Sequence, residues 1–352
     1  MSKFLSQTRA NLTPYVPGEQ PVDIDRYIKL NTNESPYGLS KAALAYAFAS
    51  LRPLQLYPDP EYGELRRAFA ESIGVSADEV MAVNGSDETL YLAFSAFCDE
   101  KTPAVFADIT YGFYPVFADM CRVPYETIPL TDDLRINPDD YLDAKGTIFI
   151  ANPNAPTGVL LGVSDIERII EANPENVVVI DEAYIDFGGE TVVPLIRKYD
   201  NLLVTRTFSK SRSLAGARLG FAIGCTELIA DLNTLRNSIN PYNVNNATVA
   251  YGLGSLADDD AFRDNCTAIE ETRAFTVDGL KALGFEMPDS YANFVFARTP
   301  KMAGGELYRA LKERGILVRH FDNERICDYN RISIGTPEQM QTLLDTLKEL
   351  LG

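Results

Sequence analysis

The chain has 352 residues, 46% of them hydrophobic, and carries 50 acidic side chains against 32 basic ones for a net charge of −18. So acidic a chain argues against nucleic acid and anionic membrane as partners, since both call for basic stripes, and any anionic substrate has to be caught by a few local arginines. With His320 the only histidine, multi-histidine metal sites are impossible and a Ser-His-Asp hydrolase would have one position to build on. No metal is expected.

In chain order, residues 1–35 are rich in Pro, Asn and Asp with little periodicity and read as an arm. They hold no apolar run long enough for a signal peptide, and no stretch of the chain approaches the ~18 apolar residues of a membrane span. Residues 36–257 alternate helical stretches with short continuous apolar runs at 80–83, 104–107, 147–150, 177–180, 202–205 and 221–223. Runs without in-out alternation suit strands covered on both faces, and their alternation with helices predicts an α/β domain with a mainly parallel sheet. Residues 258–352 change texture. A charged helical stretch at 258–283 precedes a strand at 293–296, a helix near 305–314 and strands at 316–319 and 331–334, which predicts a smaller α+β domain. Cys98, Cys121, Cys225, Cys266 and Cys327 are odd in number and lack C-x-x-C spacing, as expected of reduced thiols in a cytoplasmic protein.

Ligands of such sheets gather at the carboxyl ends of the strands, and the polar motifs fall there. Asn84-Gly85-Ser86-Asp87 lies between a strand and a helix, where free N–H groups make an anion site; a plain helix cap is compatible with it. Tyr111 follows the strand at 104–107, where an aromatic ring could stack on a flat cofactor or simply pack in the core. Asp181 directly follows a buried strand, with Tyr184 three residues on. The carboxylate could keep a pyridine nitrogen protonated or merely cap the next turn. In the run 207–220, hydroxyls at Thr207 and Ser209 and the guanidinium of Arg218 could hold a phosphate, around a Lys210 placed to condense with an aldehyde. An ordinary solvated loop is the alternative.

Taken jointly, Asn152-Pro153-Asn154-Ala155-Pro156-Thr157-Gly158, Asp181-Glu182-Ala183-Tyr184 and Ser209-Lys210 with Arg218 resemble the fold-type I, pyridoxal-phosphate-dependent aminotransferases. Leu30-Asn31-Thr32-Asn33-Glu34-Ser35-Pro36-Tyr37-Gly38 and Arg331-Ile332-Ser333-Ile334-Gly335-Thr336-Pro337, with Thr13-Pro14-Tyr15 and Tyr57-Pro58-Asp59-Pro60, resemble the histidinol-phosphate aminotransferases more narrowly. The resemblance implies pyridoxal 5'-phosphate as cofactor. Lys210 would be its Schiff-base lysine and proton shuttle, Asp181 the partner of the ring nitrogen, and Tyr184 that of the ring oxygen. Gly85, Ser86, Thr207, Ser209 and Arg218 would hold the phosphate, with Asp87 also on the cofactor and Tyr111 stacked on its ring. Tyr57 would reach the neighbouring subunit's phosphate, making a homodimer. Tyr15, Asn33, Arg331 and Arg319 would face the substrate.

By the same resemblance, the reaction would exchange an amino group between glutamate/2-oxoglutarate and histidinol phosphate/imidazole acetol phosphate, in histidine biosynthesis. An aromatic amino-acid aminotransferase and a threonine-phosphate decarboxylase are the alternatives. One position departs from the pattern. Ala155 stands where the family usually has an asparagine on the ring oxygen, so Asn154 or Asn152 would supply the amide, or Tyr184 would work without it.

Overall fold

The computed structural model describes residues 2–9 and 12–352; Met1, Ala10 and Asn11 of the expected arm lie outside the described residues. The first part of the chain runs through β1 (Ile28–Lys29), α1 (Lys41–Ser50), α2 (Gly63–Ile73), β2 (Val80–Val83), α3 (Ser86–Phe97), β3 (Ala104–Ala107), α4 (Tyr114–Cys121) and β4 (Tyr125–Ile128). It continues with β5 (Thr147–Ala151), α5 (Val163–Ala172), β6 (Val178–Asp181), β7 (Leu202–Thr207), β8 (Gly220–Gly224), α6 (Thr226–Ile239) and α7 (Asn246–Ala257). The remainder comprises α8 (Asp259–Ala282), β9 (Phe294–Arg298), α9 (Gly304–Glu313), β10 (Ile316–Leu317), β11 (Arg319–His320), β12 (Tyr329–Ser333) and α10 (Pro337–Leu351).

Seven strands form one sheet in the order β2-β8-β7-β6-β5-β3-β4. Only β8 runs against its neighbours, so the sheet is mainly parallel, as the apolar runs predict. Alternate residues of one strand feed opposite faces. Val80 and Ala82 of β2 join Leu65 and Phe69 of α2 on one side, while Met81 and Val83 join Leu90 and Phe94 of α3 on the other. Each of the larger side chains among them, fully buried, contributes roughly 1.5–3 kcal/mol, which is why these strands tolerate no polar alternation.

The second half builds a separate three-stranded antiparallel sheet, β11-β12-β9. Two details differ from the sequence reading. The run 316–319 divides between sheets: β10 pairs in parallel with β1 (Ile28↔Ile316), whereas β11 pairs with β12 (Arg319↔Arg331). The N-terminal segment is thereby stitched to the C-terminal half, and Leu30 is buried with Ile332, Ile334 and Leu343. The other difference is β4, an edge strand with largely exposed side chains, which has no apolar run to announce it.

The topology fixes the site. In register, Ala151 of β5 lies beside Asp181 of β6, and Asp181 beside Thr205 of β7. Three parallel strands therefore end together, close to the first turn of α3.

Candidate active site

At those strand ends lies a cavity. Ser86, Asp87, Tyr111, Asp181, Tyr184 and Lys210 line it, with Thr207, Ser209 and Arg218 at one end.

That end is built for an anion. Gly85 precedes α3 at φ 75°, ψ 158°, a left-handed conformation that favours glycine. A Cβ there would meet Arg218 Nη2 at 2.5 Å, so the missing side chain is what admits the guanidinium. No side chain caps α3, which leaves its first N–H groups directed at the cavity. Arg218 donates from Nη1 to Ser209 Oγ (3.3 Å) and from Nη2 to Asp87 Oδ2 (2.9 Å). The other oxygen of Asp87 accepts from Tyr111 Oη at 2.7 Å. Burial first, and the Asp87 charge second, push the Tyr111 phenol well above its usual range, so it stays protonated.

At the opposite side sits Asp181, 5% exposed. Burial raises its carboxyl to about 7, against partial relief from the Ala183 N–H. That bond, 3.1 Å to Oδ1, is the turn-capping contact; it leaves the second oxygen for a ligand. A protonated ring nitrogen would relieve the buried charge. Lys210 donates its amine to Thr32 O at 3.1 Å, and its Nζ lies 5.7 Å from the centre of the Tyr184 ring. The lysine loop is braced from behind. Ser211 Oγ donates to Asp186 (2.6 Å), Arg206 bridges Asp186 and Glu182 (2.8 and 2.7 Å), and Arg212 reaches Asp259 (2.9 Å). A chain of charge-assisted bonds thus joins the residue after Asp181 to the residue after Lys210.

A second cavity adjoins the first, sharing Tyr111 and Ala155 and lined by Tyr15, Arg319, Phe321 and Arg331. Arg331 donates from Nη2 to Asn31 O (3.2 Å), but its buried Nε has no partner among the described residues. A guanidinium left so poorly paired is a site for an anion. Tyr15 stacks on Phe113 at 4.1 Å, against the bare face of Gly112.

Three expected site residues, Arg319, Asn33 and Asn154, spend their polar groups on the protein itself. Arg319 spends both terminal nitrogens on the arm, donating to Pro17 O and Val16 O (3.2 and 3.0 Å). Asn33 is 1% exposed and bonds Tyr184 Oη and Ser333 Oγ, both at 2.9 Å. Asn154 turns away from the first cavity, donating to Ile109 O and Thr157 Oγ1 and accepting from Thr110. Asn152 is likewise taken up by Leu161, so neither amide fills the place left by Ala155. Tyr57 is 80% exposed and stacks on Tyr242 at 4.5 Å, outside both cavities of its own chain. Sequence reasoning passed over Thr32 and Ser333 as individuals. Only their place within the two N- and C-terminal motifs could have flagged them.

No cluster of potential metal ligands and no helix long and apolar enough to cross a membrane occurs among the described residues. The family model for aminotransferase class I and II matches residues 25–347. Histidinol-phosphate aminotransferase 1 of Pseudomonas fluorescens is 47% identical over 99% of this chain and 100% of its own length. The histidinol-phosphate aminotransferase of Aromatoleum aromaticum is 48% identical over the full length of both. Among solved structures, histidinol-phosphate aminotransferase of Sinorhizobium meliloti, in complex with pyridoxal-5'-phosphate, superposes with a TM-score of 0.87 at 22% identity over 99% of each chain. L-threonine-O-3-phosphate decarboxylase of Porphyromonas gingivalis shares the fold, with a TM-score of 0.79 at 23% identity over 92% of this chain and 99% of that one. With the family model spanning nearly the whole chain and full-length relatives at close to half identity, this chain belongs to the class I and II aminotransferases, on their histidinol-phosphate branch.

Proposed function

We propose that the chain exchanges an amino group between glutamate/2-oxoglutarate and histidinol phosphate/imidazole acetol phosphate, with pyridoxal 5'-phosphate as cofactor and a place in histidine biosynthesis. The observation that carries the reading is the grouping of one amine, Lys210, with a buried carboxylate, Asp181, and an open helix start in one cavity, beside the unpaired Arg331. The residues fit the cofactor: the Gly85 gap and the uncapped start of α3 suit its phosphate, and Asp181 suits its ring nitrogen.

When bound, the cofactor supplies an aldehyde that links to amines and a ring that takes up electrons from the substrate carbon. Asp181 holds the proton on the ring nitrogen, which its own burial makes a favourable exchange. Lys210 would supply the amine that holds the cofactor's aldehyde and, when free, would be the base that moves the substrate Cα proton. Gly85, Ser86, Thr207, Ser209 and Arg218 bind the phosphate, and Tyr111 and Tyr184 orient the ring. Arg331 takes the substrate anion. A guanidinium fork fits carboxylate and phosphate alike, so one residue serves glutamate in one half of a ping-pong cycle and a phosphorylated amine in the other. Tyr15 closes the substrate side, held there by the arm that Arg319 grips.

The working unit is a homodimer in the cytoplasm, organised as an arm (1–35), a large domain (36–257) and a small domain (258–352). Exposed Phe48, Leu54, Leu56, Tyr57 and Ile239 support the dimer, since that much apolar surface calls for cover. The test mixes cofactor-loaded protein with L-glutamate. The expected result is 2-oxoglutarate and the amine form of the cofactor, followed by faster turnover with histidinol phosphate than with phenylalanine. Carbon dioxide release from threonine phosphate without transamination would overturn the proposal.

A further inference from the structure

Three consecutive residues of the N-terminal segment each touch a different functional side chain. Asn31 O accepts from Arg331, Thr32 O accepts from Lys210, and Asn33 Nδ2 donates to Tyr184 Oη. Asn33 is held by more than these contacts. Its own N–H donates to Ser333 Oγ (2.9 Å), its carbonyl accepts from Asn293 Nδ2 (3.0 Å), and its backbone is left-handed at φ 56°.

The hydrogen inventory fixes which way each group points. Ser333 Oγ accepts from Asn33 N–H and gives its only hydrogen to Asn33 Oδ1. Were the amide turned over, that hydroxyl would face two donors and its own buried hydrogen would have no acceptor, an arrangement that costs about 1–3 kcal/mol. The amide nitrogen therefore faces Tyr184 and occupies a lone pair of the phenol. The phenol has one hydrogen left, and the open direction for it is the cavity that Tyr184 shares with Lys210. Meanwhile Ala155 lines that cavity without a polar group, and the amides of Asn152 and Asn154 are bonded elsewhere.

We propose that Asn33 is a positioning residue that commits the Tyr184 hydroxyl to donating into the cofactor cavity, and that Ser333 ties this setting to the strand bearing the substrate arginine. Arg331 and Ser333 lie two apart on β12 and share a face. An anion drawn to Arg331 therefore acts on the same strand that locks the amide. The inference rests on Tyr184 being that ring-oxygen partner, as given under the proposed function.

The test is a pH titration of the visible imine band of the cofactor-loaded protein, with cofactor affinity measured separately by quenching of tyrosine fluorescence in the stripped protein. Asn33→Gly removes the amide and keeps the left-handed backbone unstrained; Ser333→Ala removes the lock and leaves the amide. Losing a donor to the ring oxygen raises the imine pKa, by about one unit or tenfold in proton affinity. Both variants are expected to shift upward, toward the value of Tyr184→Phe, and to add nothing in a Tyr184→Phe background. An unshifted Asn33→Gly and Ser333→Ala beside a shifted Tyr184→Phe would sink the role of Asn33, as would a shift that persists undiminished without the phenol. A Tyr184→Phe protein that titrates like wild type would instead remove the placement of Tyr184 itself.

Discussion

Asp181→Asn separates what the carboxylate does for the cofactor from what it does to the fold. Burial raises the Asp181 carboxyl from 3.8 to about 7. Below pH 3.8 it is protonated whether the chain is folded or not. Between there and pH 7 the unfolded chain has released a proton that the folded chain keeps, so the folded cofactor-free protein loses about 1.4 kcal/mol per pH unit from this residue. Above pH 7 the loss is complete, at about 4 kcal/mol for a shift of roughly three units. Asparagine keeps the shape without the charge. In urea denaturation of cofactor-free protein at fixed concentration, wild type and Asp181→Asn should be equally stable near pH 4. By pH 8 the variant should be the more stable by a few kcal/mol, although it cannot hold the ring nitrogen protonated and should lose nearly all transamination. Equal stability of the two proteins at pH 8 would refute the burial argument.

Three further outcomes follow from the geometry. Gly85→Ala should displace Arg218 and strain the backbone, weakening cofactor binding by about tenfold or more, or ~1.4 kcal/mol, while fluorescence titration finds the stripped protein still folded. Arg206→Ala leaves the side chain of Glu182, 0% exposed, without its cation; denaturation should register a loss of about 3–5 kcal/mol, partly recovered by adding Glu182→Gln. Arg331→Ala should lower kcat/KM for glutamate by roughly 30- to 5,000-fold, as expected from about 2–5 kcal/mol for an unpaired anion, with the visible spectrum of the loaded protein unchanged.

Legibility in the sequence followed burial. Strands β2, β3, β5, β6 and β8 are buried at every position, so their apolar runs could be read directly. The side chains of β4 are mostly exposed, and nothing in its composition distinguishes it from a loop. Lys210, Asp181 and the residues near Gly85 were legible because they lie at or just beyond the ends of the apolar strands β7, β6 and β2. Asn33, Arg319 and Asn154 were not. An asparagine or arginine near a site can face the ligand or brace a neighbour with the same identity and spacing, and only packing decides between them. Arg319 shows this most plainly: the break at Val318 puts it on a different sheet from Ile316, and from there it meets the arm's carbonyls.

The pairing of Ile28 with Ile316, and of Asn33 with a serine 300 positions later, also orders events at the ribosome. Such distant partners meet late, since the closing of a long loop must precede any reward from contact. A nascent chain can lay down the seven-stranded sheet and seat its lysine while Thr32 and Asn33 still wait for the last strand to emerge. Until then the amine has no carbonyl to steady it and the phenol has no amide behind it. Competence to transfer nitrogen therefore waits on β12 and not on the seven-stranded sheet alone.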